Sequence, residues 1–339
     1  MTAIKFTRIA LLFLSLAGIC AAPQAQTIKL ASLAPAGSSW DAGLKQIAAD
    51  WKTISNGSIT LKIYPGGIAG DEADVIRKMR LGQLQSAALT GVGLSRIHNS
   101  VLAIQLPLTV RTNDELLYVL NKIEPALEKE LAAKQFKVIF WMPIGWIHFF
   151  SKAPVVTPDD LRKQKMFIWA GDADGVQLWK ENGFRPIPLA ATDMMSSLQS
   201  GMVEAFSTTP LSAASYQWFG LAKNMCGMKW APLIGGMVVS NQVWESIPAE
   251  MRPKLIESAV KIGKTLQVES ATADDKAIEV MKKYGLVINP VSPAIEKEWQ
   301  TIAYNGLDKL AGKSFDPAYR DMVIKYLQEY RAKPPAPVR

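Results

Sequence analysis

Strands and helices alternate along this chain of 339 residues, which predicts an α/β fold with a largely parallel sheet and helices on both faces. Three observations carry the prediction. Short apolar runs with period-two alternation, such as Ile59-Thr60-Leu61-Lys62-Ile63, recur between stretches with helical apolar spacing. Gly and Pro turn signals separate them. About three hundred residues remain after an N-terminal export segment, more than one core usually organises, so two domains are expected.

Residues 27–33 open as a strand that Pro35-Ala36-Gly37 breaks. Ser38 or Ser39 then caps a helix whose apolar positions Leu44, Ile47, Trp51 and Ile54 share one face. Asn56-Gly57 ends it, and the alternating strand 59–63 stops at Pro65-Gly66-Gly67. A helix over 72–81, a strand over 86–89 and the loop Thr90-Gly91-Val92-Gly93 follow. Later come strands at 137–141, 165–169 and 205–206, with helices at 176–182 and 192–201. The most apolar run, 138–150, contains Pro143 and Gly145 and reads as a buried strand leading into a loop. Residues 248–284 read as one long helix, on the order of 50 Å, enough to lie across two domains. The Pro-rich end from Lys333 reads as a frayed tail.

Lys5 and Arg8 precede an apolar stretch at 9–22 that is too short to span a bilayer comfortably. Residues 1–25 therefore read as a cleaved signal, with a periplasmic mature chain starting near Gln26 or Thr27. Ile19 before Cys20 argues against lipidation. The mature chain then holds a single cysteine, Cys226, so no internal disulfide forms. Loss of Lys5 and Arg8 lowers the formal charge from +8 to +6. Its basic residues are dispersed among acidic ones, with no stripe suited to nucleic acid.

Signs of catalysis are sparse. His98 and His148 are the only histidines, and neither belongs to an HExxH pattern. There is no G-x-S-x-G elbow and no P-loop, and Gly91-Val92-Gly93 lacks the third glycine of a dinucleotide fingerprint. Asp159-Asp160 and Asp274-Asp275 read as solvated helix starts and faces. Asp172-Ala173-Asp174-Gly175 resembles the start of a calcium loop. Val176, Leu178 and Trp179 then continue as an amphipathic helix, so Asp172 or Asp174 is expected to cap it. No enzyme, cofactor or metal site is expected.

Ala34-Pro35-Ala36-Gly37-Ser38-Ser39-Trp40, Tyr64-Pro65-Gly66-Gly67, Gly201-Met202-Val203-Glu204-Ala205 and Val239-Ser240-Asn241, together with the long helix, resemble the corresponding segments of the TRAP-transporter solute receptors of the dicarboxylate-receptor (DctP) type. The resemblance implies a two-lobed periplasmic-binding-protein-like fold with crossing hinge strands and a lobe-spanning helix. It assigns residues 27–145 plus 235–270 to one lobe and 146–234 plus 271–325 to the other, with 326–339 as a tail. It further implies a monomer that traps a small-molecule solute by cleft closure and passes it to TRAP membrane subunits, with no nucleic acid involved.

The sequence departs from that family at the main anchor. The resemblance places a carboxylate-binding arginine on the second-lobe strand, where Lys165-Met166-Phe167-Ile168-Trp169 has Phe167. Three readings stay open. Phe167 and Trp169, two apart and on one side, pack the core. Or they wall the cleft around an organic acid with an apolar or aromatic body, held by hydroxyls of Ser207, Thr208, Thr209 and Thr90. Or a small acid binds through His148, Lys165 or backbone N–H groups. The expected contacts are Ser39, Trp40, Thr90 and Gly91 from the first lobe. From the second they are Trp146, His148, Phe167, Trp169, Thr208 and Thr209. Two other functions fit a secreted α/β chain: a hydrolase with a carboxylate site, or a solute-sensing component of a signalling system.

Overall fold

The computed structural model describes residues 25–332 apart from Gly171, Ala311, Lys313 and Ser314. The expected signal over 1–25, Cys20 and the tail from Lys333 therefore fall largely outside the described residues. β1 (Gln26–Ser32), α1 (Ser39–Ile54), β2 (Ile59–Tyr64), α2 (Glu72–Arg80), β3 (Ser86–Thr90) and α3 (Gly91–Ser95) alternate first. α4 (Asn113–Ala133) leads into β4 (Phe136–Ser151). The middle supplies α5 (Pro158–Arg162), β5 (Lys165–Trp169), α6 (Ala173–Glu181) and β6 (Arg185–Leu189). After these come α7 (Met194–Ser200), β7 (Ala205–Thr208), α8 (Pro210–Ser215) and β8 (Asn224–Cys226). β9 (Ala231–Ser240), α9 (Asn241–Ser246), α10 (Arg252–Lys283), β10 (Val287–Asn289), α11 (Pro293–Leu310) and α12 (Pro317–Arg331) complete the chain.

Among the described residues the strands follow one path, β2-β1-β3-β9-β4-β7-β5-β6, with β8 beside β4 and β10 beside β8. The sheet is mixed. β1, β2 and β3 run parallel, as do β5, β6 and β7, while β4 and β9 run antiparallel to their neighbours. Those two strands pair with each other from Phe136–Ser240 to Ile147–Ala231 and cross from one lobe to the other. β4 does not end at Pro143. Register shifts at Val138/Phe140 and Pro143/Gly145 absorb the proline, and pairing resumes through Ser151.

Helices cover both faces of each lobe. In the first, α2, α3, α4 and α12 bury Val75, Ile76, Leu94, Leu120 and Val323 on one face. α1 and the first half of α10 bury Leu44, Ile47, Trp51 and Leu255 on the other. In the second lobe, Phe149, Phe184, Trp230 and Trp299 cluster on one face and Phe150, Phe167, Phe206 and Trp218 on the other. Ser38 caps α1 by accepting from the Asp41 N–H at 3.3 Å, as its place before the apolar periodicity predicts.

α10 has 32 residues, about 48 Å at 1.5 Å per residue. Pro253 lies in its first turn, where no helical N–H is lost. Gly263 lets it approach the crossing strand, since a Cβ there would sit 3.0 Å from the Phe140 ring. Its ends pack in different lobes, with Leu255 against Trp51 and Met281 with Phe206. The chain then returns across the molecule. Tyr319, Val323 and Leu327 of α12 repeat every four residues and seal the first-lobe core against α4. Arg331 Nε donates to Glu115 Oε1 at 2.8 Å. The first lobe thus includes the 317–331 helix, whereas the resemblance divided that stretch between the second lobe and a tail.

Candidate functional site

The ends of β1 and β3 and the start of α1 form the first-lobe wall of a cavity that α8 closes from the second lobe. It encloses about 90 Å³. Leu33, Pro35, Trp40, Ala88, Leu89, Leu211 and Tyr216 give it a mostly apolar lining, with Ile144 and Leu233 entering from the crossing strands. The lobes meet around it by hydrogen bonds. The Tyr216 hydroxyl donates to the Leu33 carbonyl. Arg96 Nη2 donates to the Ala170 carbonyl at 3.1 Å, and the Asp71 carboxylate accepts from the Ala191 N–H.

The polar chemistry of this cavity centres on Glu72, the first residue of α2. The residue is 3% exposed. One oxygen accepts from the Thr90 N–H at 2.6 Å and the other from the Thr90 hydroxyl at 2.8 Å. The Gly93 N–H adds a weaker contact. Burial pushes the Glu72 carboxyl up to about 7, against the partial relief of those hydrogen bonds. Ser38 and Ser212 also line the cavity. Each hydroxyl oxygen already accepts a bond from the protein, from Asp41 N–H and Thr209 O–H respectively, which leaves the O–H free to donate.

Of the residues expected at the cleft, Trp40 and Thr90 line this cavity. Ser39 is exposed on α1, one position beyond the lining Ser38. Gly91 is buried against the Gln105 side chain. Thr209 caps α8, accepting from the Ser212 N–H at 3.2 Å, and so holds the helix that brings Leu211, Ser212 and Tyr216 to the cavity. Thr208 is half-buried and pairs with His148 across β4 and β7.

Phe167 and Trp169 share one side of β5, as their spacing requires, but that side faces the second-lobe core. Phe167 is 4% exposed among Met194, Leu198 and Phe206, and Trp169 packs edge-on against it at 5.6 Å. Neither lines the cavity. Lys165 directs its amine to the Gly201 carbonyl at 2.8 Å. The reason is geometric: β5 lies beyond β7, and its apolar side joins the cluster that holds Met194 and Leu198 of α7.

Trp146 and His148 lie behind the crossing strands, in a separate cavity of about 520 Å³ lined also by Asn113, Lys229 and Asp274. The Trp146 indole N–H donates to Asn113 Oδ1 at 2.9 Å, and the Lys229 ammonium sits over its ring at 5.1 Å. His148 Nδ1 donates to the Cys226 carbonyl at 2.9 Å, and burial lowers its basicity. Asp274 is not a solvated helix-face carboxylate. Its oxygens accept from Trp146 N–H at 3.1 Å and Leu211 N–H at 3.0 Å, tying α10 to a crossing strand and to α8. Burial pushes it up to about 6. Asp160 stands at a helix start, as expected, and forms a capping box with Thr157. Asp172 caps α6 through the Gly175 N–H at 3.1 Å, the role expected of it.

The residues that sequence reasoning passed over are Glu72, Tyr216 and Leu211. Glu72 reads as an ordinary acidic residue in a first helical turn, and only the Thr90 register 18 positions later marks it. Tyr216 follows a Pro-initiated helix with no periodic signal at all.

A model of bacterial extracellular solute-binding proteins, family 7, matches residues 30–313. A solute-binding protein of a Sulfitobacter species is 23% identical over 211 residues, covering 61% of this chain. The alignment spans 64% of that relative's own length, under two thirds. Among solved structures, a TRAP periplasmic solute-binding protein of Xanthobacter autotrophicus with bound β-D-galacturonate superposes with a TM-score of 0.82. It is 18% identical and covers 89% of this chain and 99% of its own. A counterpart from Desulfovibrio salexigens with bound orotic acid gives a TM-score of 0.82 at 18% identity, covering 90% and 98%. At these identities the likeness extends to the two-lobed fold. With its model matched over most of the chain, the family is settled: this chain belongs to family 7 of the bacterial extracellular solute-binding proteins.

Proposed function

We propose that the protein is a periplasmic receptor that captures a small organic solute between its lobes and delivers it to the membrane subunits of a TRAP-type transporter. No bond is made or broken. Capture is a hinge equilibrium biased by contacts that a solute makes to both lobes at once. The observation that carries this reading is the cavity between the lobes: Trp40 and Thr90 reach it from one lobe, Leu211 and Tyr216 from the other. Its lining favours a solute with an apolar or aromatic body, since ring faces and aliphatic side chains supply most of the contact area. The solved relatives described above hold galacturonate and orotic acid, so a small ring-containing solute is in keeping with the fold.

The test is capture from a mixture. The purified protein is dialysed against a small-molecule extract of bacterial cells, desalted and analysed by native mass spectrometry. One solute retained per chain, and lost in Trp40→Ala, is the expected result. A wild-type chain that retains nothing from any extract overturns the receptor reading.

A further inference from the structure

The cavity has an unusual charge inventory. Among the described residues its lining contains no Lys, Arg or His, and its one carboxyl is Glu72. Basic groups elsewhere are engaged by protein carbonyls: Lys165 by Gly201, Lys152 by Leu198, Arg96 by Ala170. A solute carboxylate entering here finds neutral hydroxyl donors, an apolar wall and a like-charged neighbour, with no counter-ion to offset its desolvation. Glu72, by contrast, has capacity to spare. Two carboxylate oxygens offer about four acceptor positions, and Thr90 and Gly93 use three of them.

We infer that this cavity takes a solute presenting an N–H or O–H donor to Glu72 and no carboxylate, and that it rejects organic acids. The inference rests on the cleft being the solute site and deepens that reading by assigning the ligand's charge. It departs from the expectation of an organic acid. The arrangement discriminates by repulsion as well as attraction: Glu72 rewards a donor and penalises an anion at the same place. Ser38 and Ser212 complete the match, because their free O–H groups suit a carbonyl, ether or hydroxyl oxygen elsewhere on the same solute. A protonated Glu72 would instead offer an O–H donor, so the preference is strongest once Glu72 ionises, above about pH 7. Phe167, standing where the family resemblance places an arginine, lies in the core and adds no positive charge.

The test uses a charge series on one scaffold: benzylamine, benzyl alcohol and benzoate, titrated calorimetrically into the wild-type protein at matched ionic strength. Benzylamine or benzyl alcohol is expected to bind at least about tenfold tighter than benzoate. In Glu72→Gln the advantage of benzylamine over benzoate should shrink severalfold, while benzyl alcohol changes little. Benzoate binding as tightly as the other two overturns the inference without needing a variant, so a folding defect in Glu72→Gln cannot hide the answer. Failure of all three to bind also overturns it, as does an extract-captured solute that proves to be a carboxylic acid. In that last case the receptor reading survives, because capture itself has succeeded. Only an empty cavity after dialysis removes both.

Discussion

The hydrogen bond from Tyr216 to the Leu33 carbonyl joins the lobes directly over the cavity, and Tyr216→Phe removes that bond alone. The ring stacks on Trp218 at 4.6 Å and 14°, a contact phenylalanine preserves, so the second-lobe core is undisturbed. A neutral hydrogen bond contributes about 0.5–1.5 kcal/mol net. This one exists only when the lobes are together, so its full value enters the closing equilibrium. Apparent affinity for the retained solute should fall about 2- to 13-fold, with a larger radius of gyration in solution scattering at sub-saturating solute. The melting temperature of the solute-free protein should change little. Unchanged affinity and unchanged scattering would refute the assignment of this bond to closure.

Other outcomes follow from the same contacts. Asp274→Ala leaves the N–H groups of Trp146 and Leu211 without their acceptor, at about 1–3 kcal/mol each. Urea denaturation should register the loss, and Asp274→Asn should recover part of it. Phe167→Ala should cost about 3–5 kcal/mol of stability, with solute affinity per folded molecule preserved. A selective loss of binding would instead return Phe167 to the cleft. Stability should also fall as pH rises. Glu72 has a folded value of about 7, above its ordinary 4.5, so the native state holds the extra proton between those values. Ionisation above them opposes folding by about 3 kcal/mol at most. Asp274, raised to about 6 from 3.8, acts in the same direction. Urea midpoints at pH 5 and pH 8 should differ more for the wild type than for Glu72→Gln, in which Asp274 still titrates; an equal difference in both contradicts the buried, dry setting of Glu72.

Much of the scaffold is readable from local pattern. Alternation in 59–63, the Ser38 cap before Leu44, Ile47 and Trp51, and the turn after Tyr64 each act over a few residues, where propensity and burial agree. The lobe-spanning helix is legible from length alone. The site is harder to read, because it is built by contacts between distant segments. Leu33 and Tyr216 are 183 positions apart, and Glu72 meets Thr90 only because β3 ends beside α2. Asp274 illustrates the limit most clearly. Beside Asp275 and Lys276 it looks solvated, but it turns toward β4 where Gly145 has no side chain; a Cβ there would lie 2.6 Å from the Asp274 carboxylate. Similarly, period two placed Phe167 and Trp169 on one face but could not say that this face packs into the second-lobe core with Met194, Leu198 and Phe206. Trp40, near the start of α1, and Thr90, the last residue of β3, lie at the ends of the strands where α/β clefts form, and the family resemblance pointed to both.

The crystal structure of the protein with its captured solute tests the central claim most directly. The account predicts solute density between Trp40, Thr90 and Glu72 on one lobe and Leu211 and Tyr216 on the other, with a donor atom within hydrogen-bond distance of Glu72. Density in the rear cavity beside His148, Lys229 and Asp274, with the front cavity empty, would contradict it.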